Sequence, residues 1–195
     1  VWPLFTFACL RLARGRHWLL GLVCGAGAGA SIATMAVLYD PSDPSRAYYG
    51  TDGRAHLLLI GAGLALVLAH WSPGRAARST VNALGLAGAV ACLAFWVWVP
   101  DTAAWMYRGG YAVFGLCVAA VITSSVQPGR FALRSFLSLA PLVWIGRISY
   151  GLYLWHWPVI VVASPARTGV DGPSLTVMRV GLTFAGGTFS HAAYR

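Results

Sequence analysis

The chain has 195 residues, of which 58% are hydrophobic and 10% charged, and its mean hydropathy is +0.67. A soluble domain of that length carries roughly a quarter of its residues charged, so the composition points to lipid rather than water as the solvent. All fourteen basic residues are arginine and all five acidic ones aspartate, for a net charge of +9. Nucleic-acid binding would need a soluble basic face with interleaved polar residues, and none is visible.

Apolar blocks follow one another along the chain. Trp2–Leu12 reads as a span cut short at its start, and an opening in mid-segment without Met predicts a fragment of a longer protein. Trp18–Leu38, Leu57–Ala69, Val81–Val99, Tyr111–Val126, Ile148–Ala163 and Leu175–Phe189 are each long enough, or nearly so, to cross about 30 Å of hydrocarbon as a helix. The predicted fold class is therefore all-α: a polytopic transmembrane helical bundle with about six full spans and one truncated span. The blocks at Leu57 and Ile148 are short enough that one of them is a candidate for a re-entrant segment. The glycines of "GLVCGAGAGAS" read as small residues that let helices approach closely in lipid.

The arginines orient the bundle. If the loop after the first segment is cytoplasmic, the inside carries Arg11, Arg14, Arg16, Arg75, Arg78, Arg130, Arg134 and Arg147. The outside loops then carry Arg46, Arg54, Arg108 and Arg167 together with all five aspartates. That asymmetry is what the positive-inside rule expects. The cysteines lie within predicted spans without C-x-x-C spacing, and the histidines have no acidic partner at metal-ligand spacing, so no metal site is predicted.

The longest polar stretch, "YDPSDPSRAYYGTDGRAH", joins the second and third segments on the predicted outer side. Thr51 or Asp52 is a candidate helix N-cap and Arg54 a snorkelling interface residue. The sharper alternative makes Asp52, Arg54 and His56 polar groups at the outer mouth of a cavity.

In "SYGLYLWHWPVI", His156 would lie roughly 12 Å into a helix that begins at Ile148, near the bilayer midplane. Ser149, Tyr153, His156 and Ile160 follow helical spacing along one face. Pro158 deprives the carbonyl of Leu154 of its helical donor, so a neighbour, a water or a ligand must satisfy it. An ionisable residue inside a membrane suggests function by default, against the alternative of a neutral histidine bonded across helices.

These residues also carry a resemblance. "LVWIGRISYGLYLWHWPVIV" resembles the signature G-[KR]-x-S-Y-x-L-Y-L-W-H-W-P of the acyltransferase-3 family. "YYGTDGRAHLLLIGAGLALVL" is similar to its Y-x-G-T-D-T-R-A segment, and "VWPLF" to the end of its W-S-L-x-x-E-E-Q-F-Y-x-x-W-P stretch. The three matches stand in family order across nearly the whole chain. The resemblance implies that residues 1–195 are the C-terminal part of a transmembrane acyltransferase domain; many relatives continue into a soluble extracytoplasmic esterase-like domain, and no soluble domain is read within these residues. It implies a multi-pass enzyme of the bacterial cytoplasmic membrane that moves an acyl group, often acetyl, from cytoplasmic acyl-CoA. The acceptor would be a hydroxyl of an extracytoplasmic or lipid-linked glycan or another surface molecule.

The family's catalytic histidine and its partnering arginine lie in the N-terminal half, so the resemblance places the catalytic base upstream of this chain. What it carries over is Gly50, Thr51, Asp52 and Arg54, then Ser149, Tyr150, Tyr153, Trp155, His156, Trp157 and Pro158, as walls of a substrate cavity. Gly53 departs from the usual Thr, His56 stands where an acidic or small residue is common, and Arg195 occupies an expected Glu position. A thioester and an alcohol need a base, an oxyanion stabiliser and alignment, so no bound cofactor is predicted beyond acyl-CoA (acetyl-CoA) as donor. Arg11, Arg14 and Arg16, or Arg75 and Arg78, are candidates to hold its phosphates, or serve only to orient the bundle. Setting the resemblance aside, the alternative is a polytopic transporter with a broken-helix site near His156.

Overall fold

The computed structural model describes residues 17–100, 102–129 and 131–193. The predicted partial span at Trp2–Leu12 and the arginines at 11, 14 and 16 lie outside them. Among the described residues every regular element is a helix. In chain order these are α1 (His17–Leu38), α2 (Ser45–Tyr49), α3 (Thr51–His70), α4 (Arg75–Trp98), α5 (Tyr111–Val126), α6 (Ala132–Leu137), α7 (Ala140–Val162), α8 (Pro165–Thr168) and α9 (Gly172–Ala193). A five-residue wide turn, Met106–Gly110, leads into α5 and breaks at Gly109, whose φ of 122° suits a residue without Cβ.

The helices form two compact units that divide after Arg134. In the first, α1 packs antiparallel to α3: Ser31 lies against Gly53 and His56, and Gly27 against Leu59. Helix α4 packs antiparallel to α5, with Ser124 against Gly85 and Phe114 against Phe95. Gly115 of α5 meets Leu57 and Ile60 of α3, which joins the two pairs. Gly27 and Gly115 therefore serve the close packing expected of small residues in lipid, where no hydrophobic force draws helices together, whereas Gly21, Gly25 and Gly29 of the same run as Gly27 face open space.

One end of this unit is tied by a core of Met35, Ala47, Met106 and Tyr107. Aromatic rings surround it: Tyr39 stacks on Tyr107 at 4.5 Å, and Tyr107 meets Tyr111 edge-on at 5.5 Å. The segments 39–50 and 99–110 thus share one end, as alternating spans require. In the second unit α7 and α9 form another antiparallel pair, crossing where Gly151 faces Gly187. A Cβ on Gly151 would stand 2.9 Å from the Cα and the carbonyl oxygen of Gly187.

Among the described residues, four stretches are long and apolar enough to cross a membrane: Trp18–Leu38, Ser45–His70, Ala76–Trp98 and Met106–Val126. Trp96, Trp98, Val37 and Val67 are exposed on them, as lipid-facing side chains would be. The chain is an all-α helical membrane protein. Of the six full spans expected, these four satisfy both length and apolarity among the described residues. Helices α7 and α9 reach 23 and 22 residues, but Arg147, His156 and Arg179 and their Ser, Thr and Gly residues dilute their hydrophobicity. Helices α3 and α7 extend six and eight residues further N-terminal than the apolar runs whose shortness suggested a re-entrant segment.

Candidate functional site

The predicted outer-mouth residues are built around Gly50, which ends α2 and starts α3. Arg46, on α2, folds back over this glycine. Its Nη1 donates to Asp52 Oδ1 at 2.9 Å and its Nη2 to Asp52 Oδ2 at 2.8 Å, a two-pronged pair. A Cβ at position 50 would stand 2.1 Å from the Arg46 Nη1 and 2.6 Å from Asp52 Oδ1. Only glycine leaves room for this crossing. Asp52 is consequently not an N-cap. That position is Gly50, which makes no side-chain cap bond.

Arg54 instead lies over the ring of Tyr48, 4.8 Å from its centroid, a cation–π contact. His56 is turned the other way, into the α1–α3 contact, and is 1% exposed. Its backbone N–H donates to Ser31 Oγ at 2.9 Å, and its Nδ1 lies 2.8 Å from the carbonyl oxygen of Gly53. A carbonyl only accepts, so Nδ1 carries the proton and the buried Nε2 holds a lone pair without a protein donor. Ser31 Oγ also reaches the Asp52 carbonyl at 2.6 Å. Asp52 and Arg54 thus pair with Arg46 and Tyr48 on the exposed side of the α2–α3 corner, while His56 is buried beneath them as an interhelical anchor and does not share a surface with them.

The turn before α2 is held by carboxylates. Asp40 Oδ1 accepts from the Ser42 hydroxyl at 2.6 Å and the Ser42 N–H at 2.8 Å, and Asp43 Oδ1 accepts from the Ser45 N–H at 3.0 Å. The hydrogen bonds from Ser42 hold the Asp40 carboxyl below the ordinary carboxylate range, and those from Ser45 do the same for Asp43.

On α7, His156 comes together with Tyr153: the rings lie 5.4 Å apart, and His156 Nδ1 bonds the Tyr153 carbonyl oxygen. The helix begins at Ala140 rather than Ile148, so His156 stands about 24 Å from its start. It lies six residues, about 9 Å, before the C-terminal end of α7. His156, Leu152 and Ile160 line a groove against α9 of about 350 Å³, completed by Thr176, Arg179, Val180, Thr183 and Phe184. Ser149 is not in that groove; it is exposed, and its Oγ donates to the Gly146 carbonyl at 2.8 Å. Tyr150 and Trp157 point outward.

Trp155 lies on the other flank, donating from Nε1 to Ser190 Oγ at 2.8 Å with its ring over Gly186. The helix runs on through Pro158. Arg179 donates further along the helix, six and nine residues beyond Leu154: Nη2 to the Ile160 carbonyl at 3.5 Å and Nε to the Ala163 carbonyl at 3.0 Å. The roles of Ser31, Arg46 and Arg179 escape sequence reading. For Arg46 the signal was available in an Arg six residues before an Asp, with glycine between.

At the opposite end of the first unit, Arg78 Nε donates to the Pro73 carbonyl at 3.2 Å, and Arg134 Nη1 to the carbonyls of Gln127 and Gly129 at 2.6 and 3.2 Å. Each spends part of its guanidinium on loop carbonyls.

With this geometry in view, the sequence model of the acyltransferase-3 family, described as an acyltransferase domain, matches residues 1–190. The chain belongs to the acyltransferase-3 family. It is 34% identical over 191 residues to peptidoglycan O-acetyltransferase OatA of Listeria monocytogenes, covering 94% of this chain and 30% of that protein. It is 36% identical over 176 residues to a protein of Bacillus subtilis named putative peptidoglycan O-acetyltransferase YrhL, covering 86% and 27%. Against O-acetyltransferase OatA of Staphylococcus aureus the figures are 33% over 139 residues, 67% and 22%. The chain thus spans less than a third of the length of these curated relatives. No solved structure matches it. Within the family's matching segments, Gly50, Asp52 and Arg54 lie at the α2–α3 corner, while Trp155 and His156 face α9.

Proposed function

We propose that this chain is part of a membrane O-acyltransferase that carries an acetyl group from acetyl-CoA on the cytoplasmic side to a hydroxyl of peptidoglycan. The observation that carries this reading is the family match over almost the entire chain, with relatives named for peptidoglycan O-acetylation. In the reaction the acceptor hydroxyl oxygen bonds the thioester carbonyl carbon, the carbon–sulfur bond breaks, and the hydroxyl proton leaves to a base and on to the departing thiolate. A helical membrane domain suits this chemistry, since it can hold donor and acceptor on opposite sides around one dry cavity.

In this reading the α2–α3 corner, with Arg46–Asp52 and Arg54–Tyr48, faces outside and admits the glycan. Arg78 and Arg134 belong to the cytoplasmic face, where their unused N–H groups favour the phosphates of CoA. The general base belongs to the family's N-terminal half rather than to the residues named above. A direct test is complementation. The complete protein, expressed in a bacterium stripped of its own wall O-acetyltransferase, should restore acetate that mild base releases from purified peptidoglycan. Walls that stay free of ester-linked acetate despite membrane-inserted protein would refute peptidoglycan as the acceptor.

A further inference from the structure

The groove between α7 and α9 contains a donor–acceptor pair that the family match does not explain. His156 places its Nδ1 on the carbonyl of Tyr153. A carbonyl oxygen cannot donate, so Nδ1 is the donor, and in the neutral ring Nε2 is then the acceptor. Across the groove, Arg179 spends Nε on the carbonyl of Ala163 and one hydrogen of Nη2 on that of Ile160. Those two bonds cap the last turn of α7 from the neighbouring helix and fix the guanidinium in place. Among the described residues its Nη1 hydrogens have no acceptor. Both side chains line the same space of about 350 Å³, with the hydroxyl-bearing Thr176 and Thr183 and the apolar Leu152, Val180 and Phe184.

A fixed lone pair and fixed N–H groups in one groove select a particular chemistry. A carboxylate or phosphate would suit Arg179 and repel the lone pair of His156. An ammonium would suit His156 and repel Arg179. A hydroxyl both donates and accepts, so neighbouring hydroxyls on one ring satisfy both groups together, while the apolar wall takes the ring's C–H face. The groove also lies near the end of the hairpin that carries the 163–171 connection: His156 is six residues, about 9 Å, from the end of α7, and Arg179 seven residues, about 10 Å, from the start of α9. In the orientation set by the arginines that end faces outside, where a glycan acceptor is met.

We infer that the α7–α9 groove is a sugar-binding subsite, in which His156 Nε2 accepts from one hydroxyl of the acceptor glycan and Arg179 donates to a neighbouring oxygen. This rests on the proposed function for the identity of the ligand as acceptor, but binding can be measured apart from transfer. The probe is chitotetraose, a soluble hydroxyl-rich glycan, titrated into the complete purified protein and followed by tryptophan fluorescence, since Trp155 and Trp157 flank His156. Arg179→Gln and His156→Leu should each weaken binding about tenfold, as expected for losing a hydrogen bond to a charged or fixed partner. His156→Gln, which returns an acceptor atom near the position of Nε2, should recover part of it.

Arg179→Gln also removes the cap of α7. Thr183→Phe is therefore the second variant, filling the groove while leaving both carbonyl contacts intact, and it should abolish binding without lowering the melting temperature. In acetyl-transfer assays the same variants should raise KM for chitotetraose and leave KM for acetyl-CoA unchanged. Chitotetraose affinity unaltered in Arg179→Gln and Thr183→Phe overturns the subsite, even if transfer itself is observed. Arg179-dependent binding without any acetyl transfer upholds the subsite and removes the proposed function instead.

Discussion

The crossing of α7 and α9 offers a sharp physical test, because one helix holds two glycines in opposite circumstances. A Cβ on Gly146 would meet nothing within 4 Å, whereas one on Gly151 would stand 2.9 Å from Gly187 Cα and from its carbonyl oxygen. Replacing glycine by alanine inside a helix stabilises it by about 1 kcal/mol, through the backbone freedom removed from the unfolded chain. Gly146→Ala should show that gain.

Gly151→Ala gains the same amount but forces a carbon into a contact about 1 Å shorter than van der Waals separation. Both opposing atoms are backbone, so no side chain can turn away and the helices must part. Overpacking of this kind costs roughly 1–3 kcal/mol, which makes the second variant less stable than the first by about that much. For a chain of this size each kcal/mol moves the melting temperature by about 2–4 °C. In detergent, followed by circular dichroism or a thiol-reactive dye, Gly146→Ala should melt above the unaltered protein, and Gly151→Ala should melt about 2–12 °C below Gly146→Ala. Equal increases for both variants would mean that α7 and α9 do not cross at Gly151 and Gly187.

Arg46→Ala and Asp52→Ala should each lower acetyl transfer, and the double variant should be no worse than the poorer single one, because they remove one two-pronged contact; additive losses in a double-mutant cycle would show that the two act separately. Ser42→Cys should react with an impermeant thiol reagent on intact cells and Ser135→Cys should not; the reverse pattern would invert the topology drawn from the arginines. Asp40 and Asp43 have carboxyl pKa values depressed below the ordinary 3.8, so their hold on Ser42 and Ser45 is complete above that value and lost as pH falls through the lower folded values. Carboxyl-carbon shifts should accordingly titrate below pH 3.8, and midpoints at or above it would remove the two carboxylate turns.

Hydropathy alone locates α5 to the residue and α1 to within one, because both are uniformly apolar between polar loops. It fails at the N-terminal ends of α3 and α7. "TDGRAH" and "APLVWIGR" contain charges, glycine or proline, yet Arg54 stacks on Tyr48, and Pro141 sits in the first turn, where its missing N–H leaves no helical bond unmade. The distance of His156 into its helix was counted from Ile148, whereas α7 starts eight residues earlier, at Ala140. Its company with Tyr153 was legible from helical spacing, whereas Ser149 one turn earlier already points out of the groove. Arg46–Asp52 left a signal in its six-residue spacing around Gly50, whereas Arg179–Ala163 left none, because it joins residues brought together only by the α7–α9 hairpin. The motif residues Gly50, Asp52 and Arg54 were recognised as a run, but the reason for the glycine appears only in the crossing above it.

The central claim, transfer across a membrane domain from a donor on one side to a glycan hydroxyl on the other, is tested most directly in inverted membrane vesicles carrying the complete protein. Radiolabelled acetyl-CoA is supplied outside, against the cytoplasmic face, and chitotetraose is trapped in the lumen. The account predicts label in alkali-labile ester on the lumenal glycan, lost when Asp52 is replaced by Ala. Label that enters the glycan only when donor and acceptor share one side, or no label with correctly inserted protein, would contradict it.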